Sequence, residues 1–144
     1  MGDMEPKTRL DRLVQVRERG EDTALERLAR AQSSLGRATE RLAGRRQVAQ
    51  ADGRGRGTVE LWVVEEVAHV RALQDVRSAE GELAKALQGE QAARVGYTTA
   101  YRTAEAARRI QEKKRAEARE ERDRRERGVL EELATTRFNA GRPR

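Results

Sequence analysis

The sequence predicts an all-α protein, an antiparallel two-helix coiled-coil hairpin with an overhanging C-terminal helix. Of the 144 residues, 39% are charged and only 3% are aromatic, and the apolar residues are mostly Ala, Leu and Val at three- and four-residue steps. This combination is typical of coiled coils and long helices. The two prolines, Pro6 and Pro143, stand near the ends, so the stretch between them can be helical throughout.

The first helix is expected over residues 8–51, because Thr8 can cap its first turn. Its apolar residues follow heptad spacing, which predicts one face packed against a second helix. They are Leu10, Val14, Ala24, Leu28, Ala31, Leu35, Ala38, Leu42 and Ala49.

A loop is expected at residues 52–57, where three glycines in five residues oppose helix formation at about 1 kcal/mol each. The second helix is expected over 58–138 with Thr58 as its cap, followed by a flexible tail at 139–144. Residues 1–144 thus form a single helical hairpin. The packing face predicted for the second helix comprises Val63, Val67, Val70, Leu73, Val76, Leu83, Leu87, Tyr97, Tyr101 and Ala104.

A hairpin closed symmetrically at this loop places Leu10 opposite about position 100, so ~35 residues of the second helix project beyond the pair. Charge pairs four residues apart are expected to stabilise that segment. They are Glu105 with Arg109, Lys113 with Glu117, Glu120 with Arg124, Glu121 with Arg125 and Asp123 with Arg127. The segment ends in a small apolar face around Leu130 and Leu133 that needs a partner from outside.

The composition argues against catalysis. There is no cysteine, and the one histidine, His69, has no partner for a metal site, so neither a metal nor another cofactor is expected. Adjacent carboxylates such as Glu65 and Glu66 diverge on a helix, and the glycine cluster lacks the pattern of a phosphate-binding loop. The protein is therefore not predicted to be an enzyme; at most it stimulates a partner ATPase.

Charge and hydropathy bear on location and partners. No apolar run approaches the ~20 residues of a membrane helix, and the start lacks the apolar core of a signal peptide, so we expect a cytoplasmic protein without direct membrane insertion. Residues 101–144 hold 14 basic and 9 acidic residues, five of the six net positive charges. The apolar run after the basic stretch is too short for a basic zipper. No nucleic-acid partner is predicted.

Trp62 lies in an apolar run just after the loop. This run contains more large side chains than one packing face can bury. One interpretation is a hydrophobic clasp that closes the hairpin. The other is an exposed interaction site, since exposed Trp is typical of binding hot spots.

Segments near both ends of the chain resemble the flagellar FliJ proteins and the related YscO-type stalk proteins of type III secretion. Near the N-terminus these are LDRLVQVRE at residues 10–18 and ALERLARAQ at residues 24–32. Near the C-terminus it is RERGVLEELATTRF at residues 125–138, which is similar to the closing segment of the family. Gly128-Val129 departs from the polar helix formers more usual there.

The resemblance implies a cytoplasmic stalk, peripheral to the membrane export apparatus and similar to the γ subunit of rotary ATPases. Its terminal end would insert into a hexameric secretion ATPase, while the hairpin end would contact the cytoplasmic domain of the export gate and export chaperones. On this reading the ATPase-binding residues are Leu10, Leu13, Arg17, Leu130, Leu133, Arg137 and Phe138. The export-gate residues are Trp62, Val63 and Val67.

Two other classes of function remain open on the sequence. A structural coiled coil would use the 101–138 segment to form a homodimer. A basic helix that binds nucleic acid would show a steep salt dependence. The resemblance does not distinguish a flagellar from an injectisome system.

Overall fold

The computed structural model describes residues 9–51 and 57–142, and its two helices contain nearly all of them. Helix α1 spans Asp11–Gln50 and helix α2 spans Val59–Ala140. The all-α prediction is confirmed, and the two long helices pack against each other as a hairpin requires. The expected Thr8 cap and most of the expected loop lie outside the described residues.

The start of α2 follows directly from its sequence. Gly57 has a φ of +148°, a conformation that L-residues rarely adopt, and it directly precedes the helix. The backbone N–H of Leu61 donates to the Thr58 hydroxyl at 3.4 Å, as expected of a helix cap.

The chain divides into two units, which both helices enter. The central unit is Glu21–Ala100, and the terminal unit combines Met1–Gly20 with Tyr101–Arg144. Each unit contains a stretch of α1 packed on a stretch of α2. Each is described by itself below.

In the central unit, the seam, meaning the stripe of residues that is buried or half-buried between the helices, is rich in alanine. Along α1 it alternates alanines with leucines, and Ala38 and Leu42 are its most buried members at 2% and 4% exposure. Along α2 an alanine recurs at every seventh residue and is buried or half-buried each time. These alanines are Ala72, Ala79, Ala86, Ala93 and Ala100.

The predicted packing face of α2 is partly wrong. Val76, Leu83, Tyr97 and Ala104 are buried or half-buried as expected. The larger residues predicted beside them are 43–60% exposed, namely Val63, Val67, Val70, Leu73, Leu87 and Tyr101. The seam instead follows the strict heptad of small residues, because alanine lets two helix backbones approach closely. The prediction was based on the largest apolar residues, and these lie on the neighbouring face of α2.

Three ion pairs cross the central unit and define its register. Arg41 pairs with Glu82 at 3.3 Å, Arg45 with Asp75 at 3.7 Å, and Arg46 with Glu80 at 3.6 Å. Residues further along α1 pair with residues further back along α2, so the helices are antiparallel. The end of α1 lies level with about Leu73 of α2. At ~1.5 Å per residue, Leu73 lies roughly 20 Å from the first residue of α2.

The terminal unit is held by buried alanines and by polar contacts at the start of α1. Ala104 is fully buried, and Ala107 and Val14 are 7% and 5% exposed. The Gln111 amide donates to the Asp11 carboxylate at 2.7 Å, and Arg115 reaches the same carboxylate at 3.4 Å.

These contacts correct the predicted register. Leu10, the neighbour of Asp11, lies level with about residues 111–115 rather than position 100. A symmetric hairpin was the wrong assumption, because the alanine heptad and the matching charges of the two helices decide their alignment. Glu18 and Arg108 confirm the shift with an ion pair of 3.2 Å.

Candidate functional surfaces

The first candidate surface lies at the beginning of α2 in the central unit. We call it the Trp62 patch, comprising Leu61, Trp62, Val63, Val64, Val67 and Val70. Its side chains are 46–66% exposed, and Trp62 itself is 58% exposed. The patch is uncovered because α1 ends level with about Leu73, so no described part of α1 lies beside it. A hydrophobic clasp around a buried tryptophan is not what the described residues form.

The second candidate surface lies near the end of α2 in the terminal unit. We call it the Leu133 patch, comprising Val129, Leu130, Leu133 and Phe138, whose exposed fractions are 55–64%. A shallow groove lined by Arg125, Glu126, Val129 and Leu130 opens beside it. The Arg142 guanidinium lies 5.1 Å from the centre of the Phe138 ring, a distance typical of cation–π contacts.

The N-terminal residues predicted to share this site lie elsewhere in the terminal unit. Leu10 is half-buried, whereas Leu13 and Arg17 are exposed on α1. Leu10 lies level with about Arg115, which is fifteen residues, or ~22 Å, before Leu130 along α2. The structure therefore does not bring the two predicted halves of the ATPase-binding surface together into one patch.

Between the level of Leu10 and Leu130, most side chains of α2 are charged. Ion pairs between residues of the same helix stabilise this part of α2. From Glu120 to Ala140 every residue is exposed except Gly128, which is half-buried. Of the predicted pairs, Glu105 with Arg109, Glu120 with Arg124 and Glu121 with Arg125 are present. Glu117 instead pairs with Lys114, three residues away. The Arg127 guanidinium donates to the Asp123 carbonyl.

The Glu120–Arg124 pair shifts both groups toward their charged forms. The hydrogen bond from Arg124, and then its positive charge, lower the pKa of Glu120 from its ordinary value. The same hydrogen bond and the charge of Glu120 raise the pKa of Arg124. Both side chains are largely exposed, so the pair contributes modestly to the stability of the helix.

The residues within 9–51 and 57–142 contain no cluster of three or more His, Asp or Glu side chains that could hold a metal ion. His69 is half-buried on the seam side of α2. A scan of those same residues finds no helix with the length and apolar character to span a bilayer.

Sequence reasoning missed one polar residue in the seam. Glu90 is 7% exposed, and its Oε1 accepts hydrogen bonds from both Nε and Nη2 of Arg94. The missed signal was spacing, because Glu90 lies seven residues after Leu83 and seven before Tyr97. It therefore occupies a core position of the heptad that a search for apolar residues passes over.

The described residues form a two-helix antiparallel coiled coil with exposed apolar patches on α2, an architecture typical of proteins that bind other proteins. The sequence model of the flagellar FliJ protein family matches residues 6–142, nearly the whole chain. This chain belongs to the FliJ family, and its function is accordingly related to flagellar export. The family is a non-enzymatic export component. Searches among curated proteins and among solved structures returned no match.

Proposed function

We propose that this protein is the stalk of a flagellar export apparatus. Its terminal end inserts into the hexameric export ATPase and stimulates it, and the Trp62 patch contacts the export gate and export chaperones. The stalk works in the cytoplasm, peripheral to the membrane export apparatus. One observation carries the proposal, namely that α2 is exposed from Glu120 onward and then presents the unpartnered Leu133 patch.

The exposed segment has the form that insertion into a ring requires. In this proposal residues 120–140 overhang α1 as a single helix ~30 Å long. Ion pairs within the helix, such as Glu120 with Arg124 at 2.7 Å, support it without a second helix beside it. A segment of this kind exposes its apolar turn to a partner that surrounds it.

The charge of the preceding stretch suits an acidic pore entrance. Residues 102–119 contain seven basic and three acidic residues, whereas the four basic and four acidic residues of 120–127 balance. A local excess of positive charge within α2 therefore lies just before the overhang. A partner lined with carboxylates would attract this stretch and orient the helix as it enters.

Truncation after Arg127 tests the proposal. It removes the Leu133 patch, so we expect stimulation of the cognate ATPase to be lost. The melting temperature should hardly change, because the described residues that are removed are exposed, apart from half-buried Gly128, and none of them is a buried member of either unit's seam. Steady-state ATP hydrolysis and circular dichroism measure the two effects.

A matched pair of variants controls for chain length. Leu130→Ala with Leu133→Ala should reproduce the loss, whereas Glu131→Ala with Glu132→Ala, on the same turns, should retain stimulation. Normal stimulation by the truncated protein would refute insertion through this end.

The exposed Leu133 patch also supports a second candidate, a homodimer that pairs this segment with another copy. Sedimentation over a range of concentrations separates the candidates. A dimer that dissociates on Leu133→Ala would favour the structural coiled coil, and a monomer at all concentrations would favour the stalk.

A further inference from the structure

The seam of the central unit repeats itself every seven residues on both helices. On α2 the small residue recurs from Ala72 to Ala100 without a gap, and on α1 it recurs at Ala24, Ala31 and Ala38. Moving α1 along α2 by whole heptads therefore places alanine against alanine again. Such an interface holds the helices close together but does not by itself choose one alignment.

A move of two heptads toward the start of α2 preserves most of the remaining seam. Each position of α2 that faces α1 is then filled by the residue fourteen places earlier. Val76 takes the place of the buried Glu90, Leu83 that of Tyr97, and Trp62 that of Val76. Against these gains, His69 replaces Leu83 and Glu65 replaces Ala79.

Of the three ion pairs that cross the central unit, the move retains a carboxylate partner for one and loses two, because Ala68 and Leu61 take the places of Glu82 and Asp75. Arg46 now pairs with Glu80, and Glu66 lies fourteen residues before Glu80, so the move offers Arg46 a carboxylate at the same level.

Because α1 is continuous from Asp11, the move also separates Asp11 from Gln111 and Arg115. It brings the end of α1 level with the start of α2. An extended chain covers ~3.3 Å per residue, so the residues between Gln50 and Val59 are numerous enough for either alignment.

We propose that the central unit has a second register, in which α1 lies two heptads nearer the start of α2 and covers the Trp62 patch. In the register of the structure the patch is open, and in the second register α1 closes over it. The hairpin thereby controls access to its own apolar surface. The chain is well suited to a test, since it has no cysteine and a single tryptophan.

Paired cysteines in the full-length protein distinguish the registers. Ala38→Cys with Ala86→Cys reports the register of the structure, and Ala38→Cys with Ala72→Cys reports the second one. Ala38→Cys with Ala68→Cys is the matched control, because Ala68 is exposed one turn away from Ala72. Each dilute variant is oxidised, disulfide closure within one chain is followed by mass spectrometry, and Trp62 fluorescence is recorded before and after.

We expect the 38–72 pair to close at least about tenfold faster than the 38–68 control, because only facing positions meet disulfide geometry. Closure should shift Trp62 emission to shorter wavelength, and reduction should reverse the shift. The 38–86 pair should close without changing the emission. Absence of intramolecular closure at 38–72, closure no faster than the control, or closure without the emission shift would each overturn the proposal.

Discussion

Trp62 shows how exposure separates a binding role from a structural one. A buried tryptophan typically costs ~3–5 kcal/mol when it is replaced by alanine. Trp62 is 58% exposed and lies beyond the end of α1, so little of its surface contributes to the seam. The side chain is available to a partner at little cost to folding.

For Trp62→Ala we therefore predict a loss of export-gate affinity greater than ~2 kcal/mol, with little change in melting temperature. Titration calorimetry with the cytoplasmic domain of the gate and thermal denaturation by circular dichroism measure the two quantities. Val95→Ala, which removes an exposed side chain outside the patch, serves as the control. A large fall in melting temperature with affinity retained would assign Trp62 to the fold.

Glu90 is the opposite case, a charged residue within the seam. Its carboxylate accepts hydrogen bonds from Arg94. The Arg94 side chain is 65% exposed and remains in contact with water. Burial removes water from the Glu90 carboxylate and therefore opposes folding. Because Arg94 stays exposed, its attraction to the carboxylate offsets this cost only in part.

We predict that Glu90→Leu raises the stability of the protein by ~1 kcal/mol, because leucine fills the same space without desolvating a charge. Chemical denaturation of the two proteins measures the difference. Gln91→Leu, at the neighbouring exposed position of α2, should give no such gain. A less stable Glu90→Leu protein would show that the carboxylate holds a contact the seam requires.

At the scale of the elements, the small side chains of α2 determine how closely α1 can pack. Alanines at every seventh position leave room for the leucines of α1, including Leu42 at 4% exposure. A larger side chain in this row would push the helices apart along several turns.

We predict that Ala86→Leu destabilises the protein by ~1–3 kcal/mol through overpacking. Ala84→Leu, two residues away and exposed, should change stability by less than ~0.5 kcal/mol. The free energies of unfolding from urea denaturation decide between them. Equal effects of the two substitutions would show that the alanine row is not under packing constraint.

At the scale of the whole molecule, the residues proposed to contact the ATPase lie at two levels along the terminal unit. Leu13 and Arg17 accompany the buried start of α1, and Leu133 belongs to the exposed end of α2. Leu13 lies level with about residue 113, so ~30 Å along α2 separates it from Leu133, which is too far for the two groups to share contacts. In the proposed complex we therefore expect them to act as independent sites.

Consequently, we predict that the effects of Leu13→Ala and Leu133→Ala on ATPase binding add to within ~0.5 kcal/mol in the double variant. A double-mutant cycle based on dissociation constants gives the coupling. Coupling beyond ~1 kcal/mol would mean that the two groups meet in the bound state, which requires the terminal unit to rearrange.

The sequence by itself determined the helices, the Thr58 cap and the FliJ resemblance, because caps, glycine clusters and heptads are local signals. It also identified the charge pairs at Glu105, Glu120 and Glu121, since residues four apart on a helix are neighbours whatever surrounds them.

Only the tertiary structure decided which face of α2 is buried and how far the helices are displaced from a symmetric hairpin. Several heptad-spaced faces compete on α2, and their ranking depends on how closely two backbones approach and which charges then meet. Those are properties of the pair of helices. For this reason Ala79 and Glu90 lie in the seam, whereas Val63 and Val67 are exposed.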